Sequence, residues 1–235
     1  MKEQAVAIIT ARGGSKRIPG KNKKMFCGKP ILQYSIEAAM QSGIFSEVMV
    51  STDDEEIKKI ALSKGAKVPF MRSEKTSNDF APTIEVLAEV LGEYKKIGKN
   101  FDYMACIYPT APFVTAEKLK KAFSLLKERD ATQVMPVVGF SFPPLRGMVI
   151  EEDELMMKWP EHRYTRSQDL ETLYHDCGQF YFYDVEKFLE VDGRVESNIV
   201  PLVMPELEVQ DIDNESDWKI AEIKYQLMKE KIKNE

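Results

Sequence analysis

Two groups of side chains in this sequence are spaced for phosphate chemistry. The first is the segment Thr10-Ala-Arg-Gly-Gly-Ser-Lys-Arg-Ile-Pro-Gly-Lys-Asn22. Between Ala11 and Ile36 lie seven basic residues (Arg12, Lys16, Arg17, Lys21, Lys23, Lys24 and Lys29) and no acidic one. The chain as a whole carries 33 Lys and Arg against 38 Asp and Glu, a formal charge of −5. Against that background the run marks a local anion site, not a basic surface. Gly13 and Gly14 let backbone N–H groups approach an anion, and the cations offset its charge. A phosphate-rich ligand is the expected guest. The second group is Asp211-Ile-Asp213. In extended backbone, residues i and i+2 face the same way, and two carboxylates on one face repel unless a cation lies between them. A small set of hard oxygen donors suits Mg2+, which keeps several waters and takes phosphate oxygens as further ligands. Taken alone, the pair reads more readily as solvated acids with Asp213 capping a helix. An upstream phosphate loop adds weight to the metal reading.

Two common phosphate loops do not fit. A Walker A loop has four residues between its glycines and Lys-Ser/Thr after the second. Here Gly14 and Gly20 are separated by five, Lys21 precedes Asn22, and Pro19 interrupts the turn. The dinucleotide fingerprint G-x-G-x-x-G is absent because Gly13 and Gly14 are adjacent.

These residues need elements to hold them. The apolar run at 5–10 reads as a buried strand that delivers its C-terminal end into the cationic loop. Residues 30–42 read as a helix with Pro30 near its first turn, and 47–51 as a strand. A helix over about 54–64 follows, which Asp53 could cap. Residues 68–71 read as a short strand and 82–96 as a helix, its apolar positions Ile84, Leu87, Leu91 and Tyr94 near helical period. Strand 103–108, helix 117–127 and strand 132–138 follow. Such alternation predicts an α/β fold with a mostly parallel sheet flanked by helices. In that architecture the loops after Thr10, Ser51, Met71 and Tyr108 gather at one rim, where ligands bind. Alternation fails over about 139–178, a stretch with Pro143, Pro144, Pro160, Arg146, Arg163 and Arg166; so long an irregular segment is usually functional or covers another surface. Strand character resumes at 179–183 and 199–204, and 215–231 reads as a closing amphipathic helix. No linker, repeat or low-complexity tract divides the chain, so one domain over 1–235 is expected.

The string Ala11-Arg-Gly-Gly-Ser-Lys-Arg-Ile-Pro-Gly-Lys-Asn22 resembles the N-terminal signature of the cytidylyltransferases that activate nonulosonic (sialic-type) acids with CTP. The resemblance continues through Ile31-Leu-Gln-Tyr-Ser-Ile-Glu-Ala-Ala39, Val50-Ser-Thr-Asp53, Tyr108-Pro-Thr-Ala-Pro112 and Gln210-Asp-Ile-Asp213, in the family's order over nearly the whole chain. Phe142-Pro-Pro-Leu-Arg146 and the stretch from Thr165 to Tyr181 look most like the branch acting on pseudaminic acid. The resemblance implies a Rossmann-like nucleotidyltransferase fold, a homodimer, and a small dimerisation lobe built from 139–178. It implies transfer of CMP from CTP to a sugar hydroxyl with Mg2+ held by Asp211 and Asp213, and catalytic roles for Arg12, Lys21 and Asp211. Other keto sugars (N-acetylneuraminic, legionaminic or 3-deoxy-octulosonic acid) and a nucleotide-binding module without turnover are the alternatives.

By the same resemblance, Gly13, Gly14, Ser15 and Asn22 join Arg12 and Lys21 around the nucleotide, with Arg72, Ala81 and Thr83 near cytosine and ribose. Asn22 serves equally as a turn residue, and Arg12 could instead lie on the outer face of its loop. Tyr108 stands where the sialic acid branch usually has Gln, which changes the acceptor contact there. Arg146 and Arg166 are candidates for the acceptor carboxylate, since a guanidinium presents a planar fork matched to that group; Arg163 and Arg194 compete with them. His175 and Asp176 face either the sugar or a structural partner.

Composition bounds the rest. A chain of 235 residues, 43% hydrophobic and 30% charged, is ordinary for a soluble globular protein. No apolar stretch reaches the ~18–20 residues that span a bilayer, and Met1-Lys-Glu-Gln is too polar to begin a signal peptide. Cys27, Cys106 and Cys177 show no metal spacing and read as reduced thiols. The acidic balance argues against nucleic acid as a partner. The cytoplasm is the expected compartment.

Overall fold

The computed structural model describes residues 3–78 and 80–234. The first half of the chain forms β1 (Ala5–Thr10), β2 (Met25–Phe26), β3 (Lys29–Pro30), α1 (Ile31–Ser42), β4 (Glu47–Ser51), α2 (Glu55–Ser63), α3 (Glu74–Ser77), α4 (Thr83–Lys96), β5 (Tyr103–Ile107) and α5 (Ala116–Glu128). The second half forms β6 (Gln133–Gly139), β7 (Met148–Glu151), β8 (Glu154–Met157), β9 (Tyr174–Asp176), β10 (Phe180–Asp184), α6 (Val185–Glu190), β11 (Ile199–Val203) and α7 (Glu215–Asn234).

The main sheet runs β11-β6-β10-β5-β1-β4, with β9 joined to the far end of β6. β1 is parallel to both β4 and β5, and β11 is parallel to β6. β10 runs against both of its neighbours. β1 is apolar on both faces because both faces are covered. Val6 and Ile8 enter the layer under α4 with Leu87, Val90 and Tyr94, while Ala7 and Ile9 enter the opposite layer with Leu32 and Ile36 of α1 and Leu119 of α5. A third apolar cluster fastens α7 to the phosphate-loop region. Phe26 packs edge-to-face on Tyr34, Trp218 and Tyr225 at 5.5–5.6 Å between ring centroids, and Ile212 is buried in the same cluster.

Register sets the rim. Thr10 is paired with Ser51, and Ile9 and Phe180 both lie opposite Ile107. The C-terminal ends of β1, β4 and β5 therefore meet the N-terminal end of the reversed β10.

Two expectations fail locally. Residues 68–71 form no strand: only Lys67 bridges to Met49, because Pro69 has no N–H to continue a ladder. The cap of α2 is Asp54, whose carboxylate accepts from the Glu56 and Ile57 amides, and Asp53 is left for another task. The 139–178 stretch is also more ordered than expected. β7 and β8 make a hairpin whose turn residues Glu152 and Asp153 both have positive φ, as a two-residue type I′ turn needs. Among the described residues, no helix is long and apolar enough to cross a membrane.

Candidate active site

The cationic loop leaves β1 at the rim and is braced from below. The Gly13 amide donates to Asp53 Oδ1 at 2.8 Å, and a Cβ at Gly13 would lie 2.9 Å from Cβ of Asp54. Gly13 is therefore needed for a close approach of loop to helix cap. Gly14 meets nothing within 4 Å, so its side is open. Lys23 ties the loop down again, to Asp54 at 3.0 Å and Glu56 at 2.6 Å. Asn22 is buried and donates from Nδ2 to the Arg12 carbonyl at 2.8 Å, which makes it a fixture of the loop's shape.

Above the loop lies a cleft of about 530 Å³ whose walls include Arg12, Ser15, Lys16, Lys21, Asp211 and Asp213. Lys21 Nζ donates to the carbonyl of Ile212, the residue between the two aspartates, at 2.6 Å. Burial lowers the Lys21 pKa, Asp213 and Asp211 pull it back up, and Arg17 and Arg12 lower it further. Crowding by the cleft wall and repulsion from Asp213 lift the Asp211 pKa above the usual carboxylate value, with Lys21 opposing. Asp211 keeps an exposed edge, so solvent screens part of that lift. Arg17 also reaches the cleft and pairs with Asp213 at 2.7 Å.

Tyr108, at the end of β5, lines this cleft and a second one of about 410 Å³ on its other side. Its backbone is held at both ends: the amide donates to the Gln179 carbonyl at 2.9 Å, and Ser35 Oγ donates to its carbonyl at 2.7 Å. The ring meets Tyr181 edge-to-face at 5.7 Å, and the Tyr181 hydroxyl donates to Asp176 Oδ2. Thr83 lies within 3.5 Å of the Tyr108 hydroxyl. Burial raises the pKa of both phenols, so each stays a neutral hydrogen-bonding group. The second cleft is further walled by Asp176, Glu196 and Arg194; Arg194 is the one basic residue among its described lining.

Residues 6–193 match the family model described as Cytidylyltransferase. The chain belongs to the cytidylyltransferase family. Pseudaminic acid cytidylyltransferase of Campylobacter jejuni subsp. jejuni serotype O:2 is 39% identical over 94% of this chain and 96% of its own length. CMP-N,N'-diacetyllegionaminic acid synthase of Legionella pneumophila is 32% identical over 92% of this chain and 94% of its own length. Among solved structures, CMP:2-keto-3-deoxy-manno-octonic acid synthetase complexed with CTP superposes with a TM-score of 0.70 at 19% identity, over 97% of this chain and 100% of that one. That likeness shows the nucleotidyltransferase fold.

The expected site residues of this family member fall into separate groups. Arg12, Ser15, Lys21, Asn22, Tyr108, Asp211 and Asp213 share the first cleft. Thr83, Tyr108 and Asp176 share the second. Arg72 lines neither. It is buried beneath the rim, where its guanidinium donates to the Ser51 hydroxyl at 3.0 Å and the Ser51 carbonyl at 2.7 Å, bracing the end of β4. Burial lowers its pKa, with Asp53 and Glu89 opposing. Ala81 is half-exposed in the turn before α4 and lines neither cleft. His175 donates from Nδ1 to the Asp176 carbonyl at 2.9 Å and packs on Phe140. Arg146 and Arg166 lie in the lobe, away from both cleft linings. Arg166 is engaged by Asp169 at 2.7 and 3.1 Å. Arg146 donates to Ser167 at 3.2 Å, and its buried Nε has no partner. Sequence reasoning missed Arg17, Asp53 and Tyr181. Their only advance signal was position: Arg17 in the loop itself, Asp53 at the end of β4, Tyr181 on the strand returning beside β5.

Proposed function

We propose that this protein transfers CMP from CTP to the anomeric hydroxyl of a nonulosonic acid, with pseudaminic acid the favoured acceptor, and releases pyrophosphate. The observation that carries this reading is Lys21, bonded through Nζ to the Ile212 carbonyl, sharing with Asp211 and Asp213 a cleft floored by the cationic loop. The identity with pseudaminic acid cytidylyltransferases supports the choice of acceptor. In the reaction the anomeric oxygen attacks the α-phosphorus, the bond from that phosphorus to the bridging oxygen breaks, and pyrophosphate departs. Such chemistry depends on positioning and charge stabilisation more than on covalent help. Arg12 and Lys21 grip the triphosphate and offset the charge that develops on the leaving group, while Gly14 and Ser15 leave room for its oxygens. Thr83 serves the ribose side and Tyr108 the junction where sugar meets phosphate. Arg72 and Ala81 support the nucleotide from outside the cleft.

The donor set fits Mg2+. Two hard carboxylates stand together, Asp213 disfavours the charge on Asp211, and the open side of the cleft leaves phosphate oxygens as further ligands. Asp211 and Asp213 would hold the ion, which when bound neutralises phosphate charge and polarises the attacking hydroxyl.

On the acceptor side we assign the second cleft, with Asp176 and the Tyr108–Tyr181 pair on its wall and His175 behind. The lobe exposes Phe142, Ile150, Leu155 and Tyr164, an apolar surface suited to a homodimer, in which Arg146 and Arg166 reach the partner's acceptor. A cytoplasmic location suits the CTP requirement and three free thiols. The deciding measurement is pyrophosphate release with CTP across pseudaminic, legionaminic, N-acetylneuraminic and 3-deoxy-octulosonic acids. Highest turnover is expected with pseudaminic acid. Release with none of the four would refute the activity, and preference for another would refute the acceptor.

A further inference from the structure

Lys24, Lys21 and Arg17 stitch the cationic loop to the 211–213 segment and the first turn of α7, and the contact of Arg17 is in conflict with the site's use. Lys24 pairs with Glu215 at 2.6 Å and lies over the Trp218 ring at 4.6 Å; neither Lys24 nor Glu215 lines the first cleft. Lys21 donates to a backbone carbonyl, that of Ile212. The third contact, Arg17 to Asp213 at 2.7 Å, spends a cleft carboxylate on a cleft guanidinium. The Asp213 backbone is separately held, its amide donating to Asp217 Oδ2 at 2.9 Å, so the side chain can change partner while the chain stays in place.

We propose that Arg17 is a triphosphate ligand held in reserve by Asp213, and that the divalent cation and the nucleotide together exchange its partner. This rests on the CTP reading above. A cation seated on Asp211 and Asp213 competes with Arg17 for the Asp213 carboxylate. Once displaced, Arg17 stands in the same cleft as Arg12 and Lys21 with its charge uncompensated, facing the phosphate oxygens that those two leave over. The exchange costs little. Arg17 is 69% exposed and Asp213 40%, and ion pairs so open to solvent contribute little stability. Arg17 therefore opposes metal binding alone and favours nucleotide binding, which couples the two ligands.

The opposite signs make a test that does not need turnover. Mn2+ binding to the nucleotide-free protein is measured by the loss of free-ion EPR signal, and CTP binding in saturating Mg2+ by calorimetry. Arg17→Met should bind Mn2+ about two- to fivefold more tightly, the range of an exposed ion pair. It should bind CTP roughly tenfold or more weakly, as for loss of a charged hydrogen bond. Arg17→Lys, which keeps the charge, should fall between Met and the parent in both. Normal CTP binding by the parent protein, with both affinities of Arg17→Met unchanged or moved in the same direction, overturns the inference alone. A parent protein that binds no CTP overturns the nucleotide reading and this inference with it.

Discussion

Replacing Lys21 with Met keeps an unbranched side chain one atom shorter and removes its charge. In the resting protein the loss is a charged hydrogen bond to the Ile212 carbonyl, about 1.5–3 kcal/mol. It is offset because burial already disfavours the ammonium, as its lowered pKa records. The net cost to folding is on the order of 1 kcal/mol, a drop of about 2–4 °C in Tm for a chain of this size. In the transition state nothing offsets the loss. A positioned donor aimed at developing charge is worth about 2.7–4 kcal/mol, so kcat should fall roughly 100- to 1,000-fold. Steady-state pyrophosphate release with CTP varied at saturating acceptor, run beside a thermal melt, separates the two quantities. A kcat within about threefold of the parent, with only the CTP KM raised, would mean that Lys21 anchors the nucleotide and takes no part in the chemistry. That result would refute the reasoning.

Asp211→Asn should lose at least about 100-fold in turnover while the ligand-free protein becomes no less stable. The raised pKa of Asp211 means that the folded state binds more protons than the unfolded between the ordinary carboxylate value and the raised one. Stability therefore falls as pH rises through that window, and the penalty is complete above it. At pH 7 the Asn variant should match or exceed the parent by up to about 1 kcal/mol, the screened value for an exposed group. The gain should shrink as pH falls toward about 4, and melts from pH 4 to 8 that show a clear loss at pH 7 would contradict this. On the acceptor side, Arg166→Ala should raise the acceptor KM about tenfold or more and leave the CTP KM unchanged. If the guanidinium acts across a dimer, mixing that variant with Lys21→Met subunits should restore turnover through one intact composite site. Absence of recovery after demonstrated subunit exchange, with loss on Arg194→Ala instead, would assign the carboxylate to the second cleft of a single chain.

Periodicity and punctuation made most of the sheet legible in advance. β1, β4, β5 and β6 are short apolar runs followed by loops, and each was placed to within a residue or so. The reversal of β10 was not legible, because Phe180-Tyr-Phe-Tyr alternates identically in either direction and only its partners set its sense. Val68 and Phe70 suggested a strand whose N–H ladder Pro69 forbids. Within the site, loop and aspartates could be joined on chemistry alone, since opposite charges in a phosphate site must meet. Arg17 carries no mark of its own in the sequence, because nothing in a run of cations says which ones face inward. Arg72 shows the converse: its two bonds to Ser51, which brace the end of β4, are a duty that its place in the sequence does not announce. The cap expected of Asp53 falls to Asp54 because either can cap a helix, and only their bonds in the fold distinguish them: Asp54 accepts from the Glu56 and Ile57 amides, Asp53 from Gly13.

The return of β9 onto the end of β6 has a consequence for how such a protein can vary. β6 leaves the sheet at Gly139 and the chain returns through β9, which pairs with the end it has just left, Gly139 opposite Tyr174 and Val137 opposite Asp176. The excursion between them starts and finishes at one zipped pair of strands, so its length and composition can drift at little entropic cost to the rest. The cationic loop, the β4 end and the 211–213 segment lie wholly outside it. On the proposed assignment, in which Arg146 and Arg166 of the excursion meet the acceptor, the excursion could be exchanged as a cassette while the cationic loop and the 211–213 segment stand still.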